Sequence, residues 1–290
     1  MQYERIALID YTRAASRTAN AERGTVATTR KEGRGDALHV GALAKGLRVL
    51  GAFSAGQRFM HLREIAEACG FDKSAAQRFT HTLSGLGYLE KCPRTKRYSL
   101  GKQVLELSFN YLRTSALVEA ASPVLIELQK TTGERVNLSL FDDLSIIYAI
   151  RQSSKRVYYF STLIGRRMPI WSSSGGRAML AALPPAEMNG ILQRSSLRPL
   201  TPRTICDLPG IRRKVALARR KGYALTVEEG VMGEVVAGAA IIDADGRPAA
   251  AIHIAGSLSE WKVEEFERRF GPLLAETAQR LSHHRSAKGT

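Results

Sequence analysis

Apolar residues recur every three or four positions from about residue 40 to residue 132, and short extended runs join them only from residue 134 onward. Leu43, Leu47, Leu50 and Phe53 stand at helical spacing and predict a first amphipathic helix ending around residues 54–56. Residues 61–69 predict a second, short helix with Leu62, Ile65 and Ala66 facing inward and Gly70 as its stop. A third helix lies within residues 71–83. At ~100° per residue, Ala76, Phe79, Leu83 and Leu86 gather on one face of it, while Ser74, Gln77, Arg78 and His81 fall on the other. Ser74 is the expected N-cap, because its hydroxyl can accept from an orphan backbone N–H of the first turn.

Two short helices joined by a tight, glycine-containing turn form a helix-turn-helix. Behind it, residues 88–90 and 97–100 are strand-like and flank a turn rich in Lys and Arg. The sequence therefore predicts a winged helix-turn-helix. Ser74, Gln77, Arg78 and His81 are the candidates for reading base edges, since all four can hydrogen-bond and are of short to medium reach. Lys73, Lys91, Arg94, Lys96 and Arg97 are the candidates for phosphate contacts. Taken alone, the third helix would serve equally as a surface helix with a solvated face; the wing that follows it favours recognition.

A linker helix is expected at about 101–114 and another at about 118–132, because Pro123 disfavours one uninterrupted helix and Gly133 ends the second. The apolar stripe of the linker suits either a dimer contact or intramolecular packing. From residue 134 the spacing predicts strands at 135–141 and 145–150 around an Asp142-Asp143 turn, then a strand at 157–162. Helices follow at 175–183, 185–193 and 207–222, with strands at 223–228, 235–243 and 249–255. Ser259 is expected to cap a last helix reaching about Leu281. Strands, helices, more strands and a closing helix describe an α+β domain, a largely antiparallel sheet with helices against it.

The chain carries 43 Lys and Arg against 27 Asp and Glu, a net charge of +16. Residues 39–114 hold twelve basic and five acidic residues, so positive charge is densest around the winged helix. That balance favours a polyanionic partner such as nucleic acid. Cys69, Cys92 and Cys206 lack metal-ligand spacing, so a reducing cytoplasm is expected and no metal or cofactor is. The N-terminus has no secretory apolar segment, and no apolar run approaches the ~18–20 residues that cross a bilayer. No catalytic signature is present, and adjacent Glu228 and Glu229, if on a strand, would point to opposite faces. His253 reads as a structural histidine when considered alone. Pro169–Arg177 places hydroxyls and glycines ahead of a helix, which suits either a capped helix behind a loop or an anion-binding terminus.

The ordered set of these features resembles the IclR (isocitrate lyase regulator) family of bacterial transcription factors over roughly residues 40–284. It is carried by residues 42–50, Glu64-Ile65-Ala66 before Gly70, and Lys73-Ser74 with Arg78 and Leu83. Gly87-Tyr88-Leu89 and Tyr98-Ser99-Leu100-Gly101 continue it, and Thr132-Gly133-Glu134, Pro169, Gly176 with Ala178, Gly222-Tyr223-Ala224 and Glu228-Glu229 extend it into the second half. The resemblance implies a GAF-like C-terminal domain that binds a small effector, often a carboxylate or aromatic acid, in a dimer or tetramer. It also implies an effector pocket at Ser173, Ser174, Gly175, Thr226, Val236, His253 and Ala255. Thr226 stands where the family often has Asp, and His253 where it often has a small hydroxyl residue. Beside the Ser-Ser-Ser-Gly-Gly loop, His253 gains a second reading as the partner of an effector carboxylate.

The expectation is thus a cytoplasmic, non-enzymatic transcriptional regulator that binds double-stranded operator DNA and a small-molecule effector as a homodimer or dimer of dimers. The segments are a tail at 1–38, a winged helix-turn-helix at 39–100, a linker helix at 101–117, a GAF-like domain at 118–285 and a tail at 286–290. The alternatives are an enzyme acting on a small acid in the C-terminal pocket and a non-specific nucleic-acid-binding protein.

Overall fold

The structure is a computed structural model that describes residues 38–54, 56–154 and 164–287. The tail at 1–38, apart from its last residue, and the strand expected at 157–162 lie outside the described residues. The chain packs as two compact units, one ending at Tyr111 and the other starting at Leu112.

In the first unit, helices α1 (Gly41–Gly51), α2 (Leu62–Cys69) and α3 (Lys73–Gly85) precede the strands β1 (Leu89–Lys91) and β2 (Tyr98–Leu100). The α2–α3 turn is set by Gly70 in the left-handed region, φ 65°, where a glycine carries no Cβ penalty. Asp72, not Ser74, caps α3: its carboxylate accepts from the Ala75 N–H at 2.7 Å. Ser74 is already helical, one residue inside the first turn. The core is Val49, Met60, Ile65, Cys69, Leu89 and Tyr98, with Phe71 and Phe79 packed at 5.6 Å. Met60 and Tyr98 exchange both backbone hydrogen bonds, which ties the wing to the segment before α2.

The apolar spacing of α1 misassigns part of its buried face. Leu50 and Phe53 pack against the core as expected, but Leu43 and Leu47 are exposed and Val49 takes the fully buried place. The helix also ends at Gly51, ahead of the expected stop. Leu86 lies past the end of α3 and is exposed, while Thr80 takes a buried place beside Ala76.

Helix α4 (Gln103–Thr114) carries the boundary between the units, and α5 (Ala116–Thr132) follows at once. Pro123 does not separate them. It sits inside α5, and the break falls at Ser115, whose hydroxyl accepts from the Val118 N–H.

The second unit contains β3 (Arg135–Asp142), β4 (Ser145–Gln152), β5 (Arg167–Pro169), α6 (Ser174–Ala182), α7 (Pro185–Arg194), α8 (Leu208–Lys221), β6 (Ala224–Val227), β7 (Glu234–Ile242), β8 (Pro248–Ser257) and α9 (Val263–Ala287). The short strand β5 is an addition to the elements that spacing predicts. Among the described residues, six strands form one antiparallel sheet in the order β5-β4-β3-β8-β7-β6. One face carries Val136, Leu138, Val235, Ala237, Ile252 and Ile254 against α5 and α9. The other carries Ile146, Ala224 and Ala251 toward α6, α7 and α8. Alternation along each strand thus separates two apolar layers. Ser259 does not cap the last helix: it lies in a turn, bonded to Ser257, and α9 starts at Val263 and continues past Leu281. Glu228 and Glu229 are not on a strand, since β6 ends at Val227 and Glu228 is left-handed with φ 56°.

Candidate functional site

Capping and packing settle which side of α3 is free. Ala76 and Thr80 are buried and Phe79 and Leu83 join the core, so Ser74, Gln77, Arg78 and His81 share the solvent side. Lys73 is exposed at the first position of the same helix. Across the wing, Lys91, Arg94, Lys96 and Arg97 are all exposed. The tip is closed by the Lys96 N–H donating to the Cys92 carbonyl at 2.9 Å, with Lys96 itself left-handed at φ 59°. Two of the four wing cations have local partners. The Lys91 ammonium lies 5.1 Å from the Tyr98 ring centroid, and Arg97 Nε donates to His61 Nε2 at 3.1 Å. His61 also N-caps α2, which links the wing to the helix that carries the turn. That link leaves no local signal in the sequence, because 36 positions separate the pair.

The second unit brings most of its expected positions onto one sheet face and the helix end above it. Ser173 N-caps α6, its hydroxyl accepting from the Gly176 N–H at 3.0 Å. Register aligns Gly238, His253 and Asn137 in one row across β7, β8 and β3. The adjacent row holds Thr226, Val236, Ala255 and Arg135. The Thr226 hydroxyl is directed at the Val236 carbonyl, 3.5 Å away. Two glycines let α6 settle directly on this face. A Cβ at Gly238 would stand 2.5 Å from the Gly175 nitrogen, and one at Gly175 would stand 2.2 Å from His253 Cε1.

His253 is therefore enclosed and partnered. Its Nε2 lies 2.7 Å from the Ser139 hydroxyl and its Nδ1 3.4 Å from the Ser174 hydroxyl, with the Tyr148 ring 5.5 Å away. A neutral imidazole has one N–H and one acceptor, so one serine donates to the ring and the other accepts. Burial pushes the His253 pKa down from 6.5 to about 3, and the nearby Arg135 guanidinium adds to the shift. Burial also raises the Tyr148 hydroxyl above its usual range, against the opposing influence of Arg135. Asn137, the cross-strand neighbour of His253, is buried with no hydrogen-bond partner for its Oδ1.

Asn137, Ser139 and Tyr148 do not stand out in the sequence. Arg135, Asn137 and Ser139 alternate with Val136, Leu138 and Leu140, a pattern that ordinarily marks a solvent face. Only the covering helix turns that polar face into an interior site. A second feature hidden from the sequence holds α6 in place. Arg177 and Glu229 are buried and pair bidentately at 2.6 Å, and Arg177 Nε donates to the Trp171 carbonyl at 2.8 Å. The Ile205 N–H also donates to Glu229, at 3.0 Å.

The three thiols are free, and among the described residues no group of His, Cys, Asp or Glu is arranged to hold a metal. No helix of the described residues is long and apolar enough to cross a membrane.

A winged helix-turn-helix joined to a separate sheet unit with an enclosed polar face defines a transcriptional regulator with a ligand-sensing domain. The chain belongs to the IclR family: residues 109–283 match "Bacterial transcriptional regulator IclR C-terminal" and residues 42–93 match the "IclR helix-turn-helix domain". The Pca regulon regulatory protein of Pseudomonas putida is 29% identical over 86% of this chain and 85% of its own length. The p-hydroxybenzoate hydroxylase transcriptional activator of Acinetobacter baylyi is 27% identical over 84% of this chain and 91% of its own. Among solved structures, an IclR family transcriptional regulator from Brucella abortus is 28% identical with a TM-score of 0.72, covering 85% of this chain and 92% of that one.

Proposed function

We propose that this regulator reads operator DNA with Ser74, Gln77, Arg78 and His81, holds phosphates with Lys73, Lys91, Arg94, Lys96 and Arg97, and responds to a small aromatic carboxylic acid bound beneath α6. The observation that carries the effector reading is the enclosed polar set of Asn137, Ser139 and His253 on the sheet with Ser174 of α6 above them. Burying polar groups is costly without partners, and Asn137 Oδ1, which has none, suits a hydroxyl donor on such an acid rather than its carboxylate. The first turn of α6 adds backbone N–H groups and the positive end of a helix dipole, which favour an anion. The similarity to regulators named for the Pca regulon and for p-hydroxybenzoate hydroxylase favours an aromatic ring on that acid.

The site suits binding more than catalysis. Ser139 and His253 are spaced like a nucleophile and its base, but a useful base has a pKa near the working pH. A ring held neutral down to about pH 3 is a poor proton acceptor. We assign no residue a catalytic role.

Leu43 and Leu47 on α1 and Leu105 and Leu107 on α4 are exposed apolar side chains, which supports self-association into a homodimer or dimer of dimers. The boundaries 39–100, 101–117 and 118–285 describe the segments in this reading, and the cytoplasm is its compartment. Calorimetric titration of the full chain with a series of benzoates tests the effector site. Saturable binding to the wild type that weakens at least tenfold in His253→Ala is expected; equal affinity of the two proteins for the bound acid would remove His253 from the site.

A further inference from the structure

The charge of the second unit is concentrated on one helix. Residues 115–290 contain 24 basic and 17 acidic residues, and α8 supplies six of the basic ones and none of the acidic. Without α8 the remainder would hold 18 against 17, close to neutral. Ile211, Val215 and Ala218 bury the inner side of α8 against the sheet layer. At ~100° per residue this leaves Arg212, Arg213, Ala216 and Arg220 together on the outer side, and all four are exposed.

Two of the six cations have structural duties. Arg219 donates to the Ala181 and Leu183 carbonyls at 2.8 Å each, satisfying the C-terminal end of α6. Lys221 pairs with Glu267 at 2.6 Å. Arg212 gives only Nε to Asn189 Oδ1, and Arg213, Lys214 and Arg220 have no carboxylate partner among the described residues. A helix dipole rationalises cations in the last turn, which accounts for Arg219, Arg220 and Lys221. It does not account for Arg212, Arg213 and Lys214, which stand in the first half of the helix.

We propose that the outer face of α8 is a second polyanion-binding surface, and that its partner is the phosphate backbone of duplex DNA outside the site read by α3. Arginine forks match phosphate oxygens bidentately. The Arg212–Arg213 pair and Arg220 lie about 12 Å apart along the helix at its usual rise, enough for the two ends to meet different phosphates of the duplex. Ala216 between them leaves the backbone room to approach. Such contacts add affinity without sequence information, so the surface would lengthen the footprint and leave the recognised sequence unchanged.

The test uses the full-length chain on a long random-sequence duplex, comparing how affinity falls with salt between roughly 50 and 200 mM. Every phosphate that is no longer neutralised lowers the slope by about 0.9, so replacing Arg212, Arg213 and Arg220 together by Ala lowers it by roughly 2 to 3. The triple Lys replacement retains the wild-type slope, because counterion release counts charges; this also separates missing charge from a damaged fold. An unchanged slope in the triple Ala variant, or a reduced slope that Lys does not restore, overturns the proposal. So does a triple Ala variant with normal DNA binding that fails only in transcription with RNA polymerase, which would assign α8 to an acidic protein surface. Lys96→Ala serves as the control: wild type and Lys96→Ala showing no salt-dependent DNA binding would instead overturn the regulator reading.

Discussion

His253 is held by a serine on each ring nitrogen, under a helix that reaches the sheet only because Gly175 and Gly238 lack side chains. That enclosure has a thermodynamic consequence. The folded pKa is lowered to about 3, while the unfolded chain titrates near 6.5. Between these values the unfolded state binds the proton and the folded state does not. The stabilisation is therefore fully present above about pH 6.5 and is lost as the pH falls toward 3, by at most about 1.4 kcal/mol per pH unit. Thermal melts of the wild type and His253→Asn from pH 7 to pH 4 should diverge in slope, the wild type losing stability faster. Parallel curves would show that His253 is not the buried neutral group described. Asn137 belongs to the same row, with a buried oxygen that has no hydrogen-bond partner.

At the scale of elements, the proposed division of work between α3 and the wing follows from where their polar groups stand. Helix α3 has one side in the core and four hydrogen-bonding residues on the other, whereas the wing exposes four cations around a closed tip. Affinity is expected from the wing and discrimination from the helix. The start of α3 fixes the presentation, and there the structure departs from the sequence reading. Two candidate caps lie two residues apart, and propensity ranks Asp and Ser almost equally. Asp72 makes the bond. Asp72→Ala should cost ~1 kcal/mol of stability in chemical denaturation, and Ser74→Ala a few tenths at most; the reverse order would restore Ser74 as the cap. The apolar stripe of α1 misleads for a related reason. Spacing locates a face but not what covers it, and Leu43 and Leu47 are exposed within this chain.

Over the whole molecule, the helix-turn-helix, the wing, the antiparallel sheet and most strand limits were legible because capping residues, turn glycines and alternation are local signals. Asp207, Gly133 and Gly222 begin or end helices at the boundaries that the sequence predicts. The interior site was only half legible. Ser174 and Gly175 stood out as hydroxyl and glycine ahead of a helix and the family resemblance joined His253 to them, while Asn137 and Ser139 read as a solvent face until the order β3-β8-β7 set them beneath α6. The Arg177–Glu229 pair was equally hidden, since its partners stand 52 positions apart. Long-range pairing of polar groups leaves no periodic trace. Charge told part of the story: the excess around the winged helix pointed to DNA, but the equal excess beyond residue 114 gained meaning only when α8 was seen to carry six cations on a surface helix.

Selection of a DNA sequence by α3 is the central claim for the molecule as a whole. Nuclease footprinting across the DNA flanking the gene for this chain, with the wild type, Arg78→Ala and Lys96→Ala at matched occupancy of random competitor DNA, addresses it directly. One symmetric protected site is predicted for the wild type. Arg78→Ala should lose that protection while still retaining non-specific affinity, a loss of ~1–3 kcal/mol in discrimination. Lys96→Ala should keep the same site and need more protein to fill it. Protection that is diffuse in the wild type, or an Arg78→Ala footprint identical to that of the wild type, would contradict the claim.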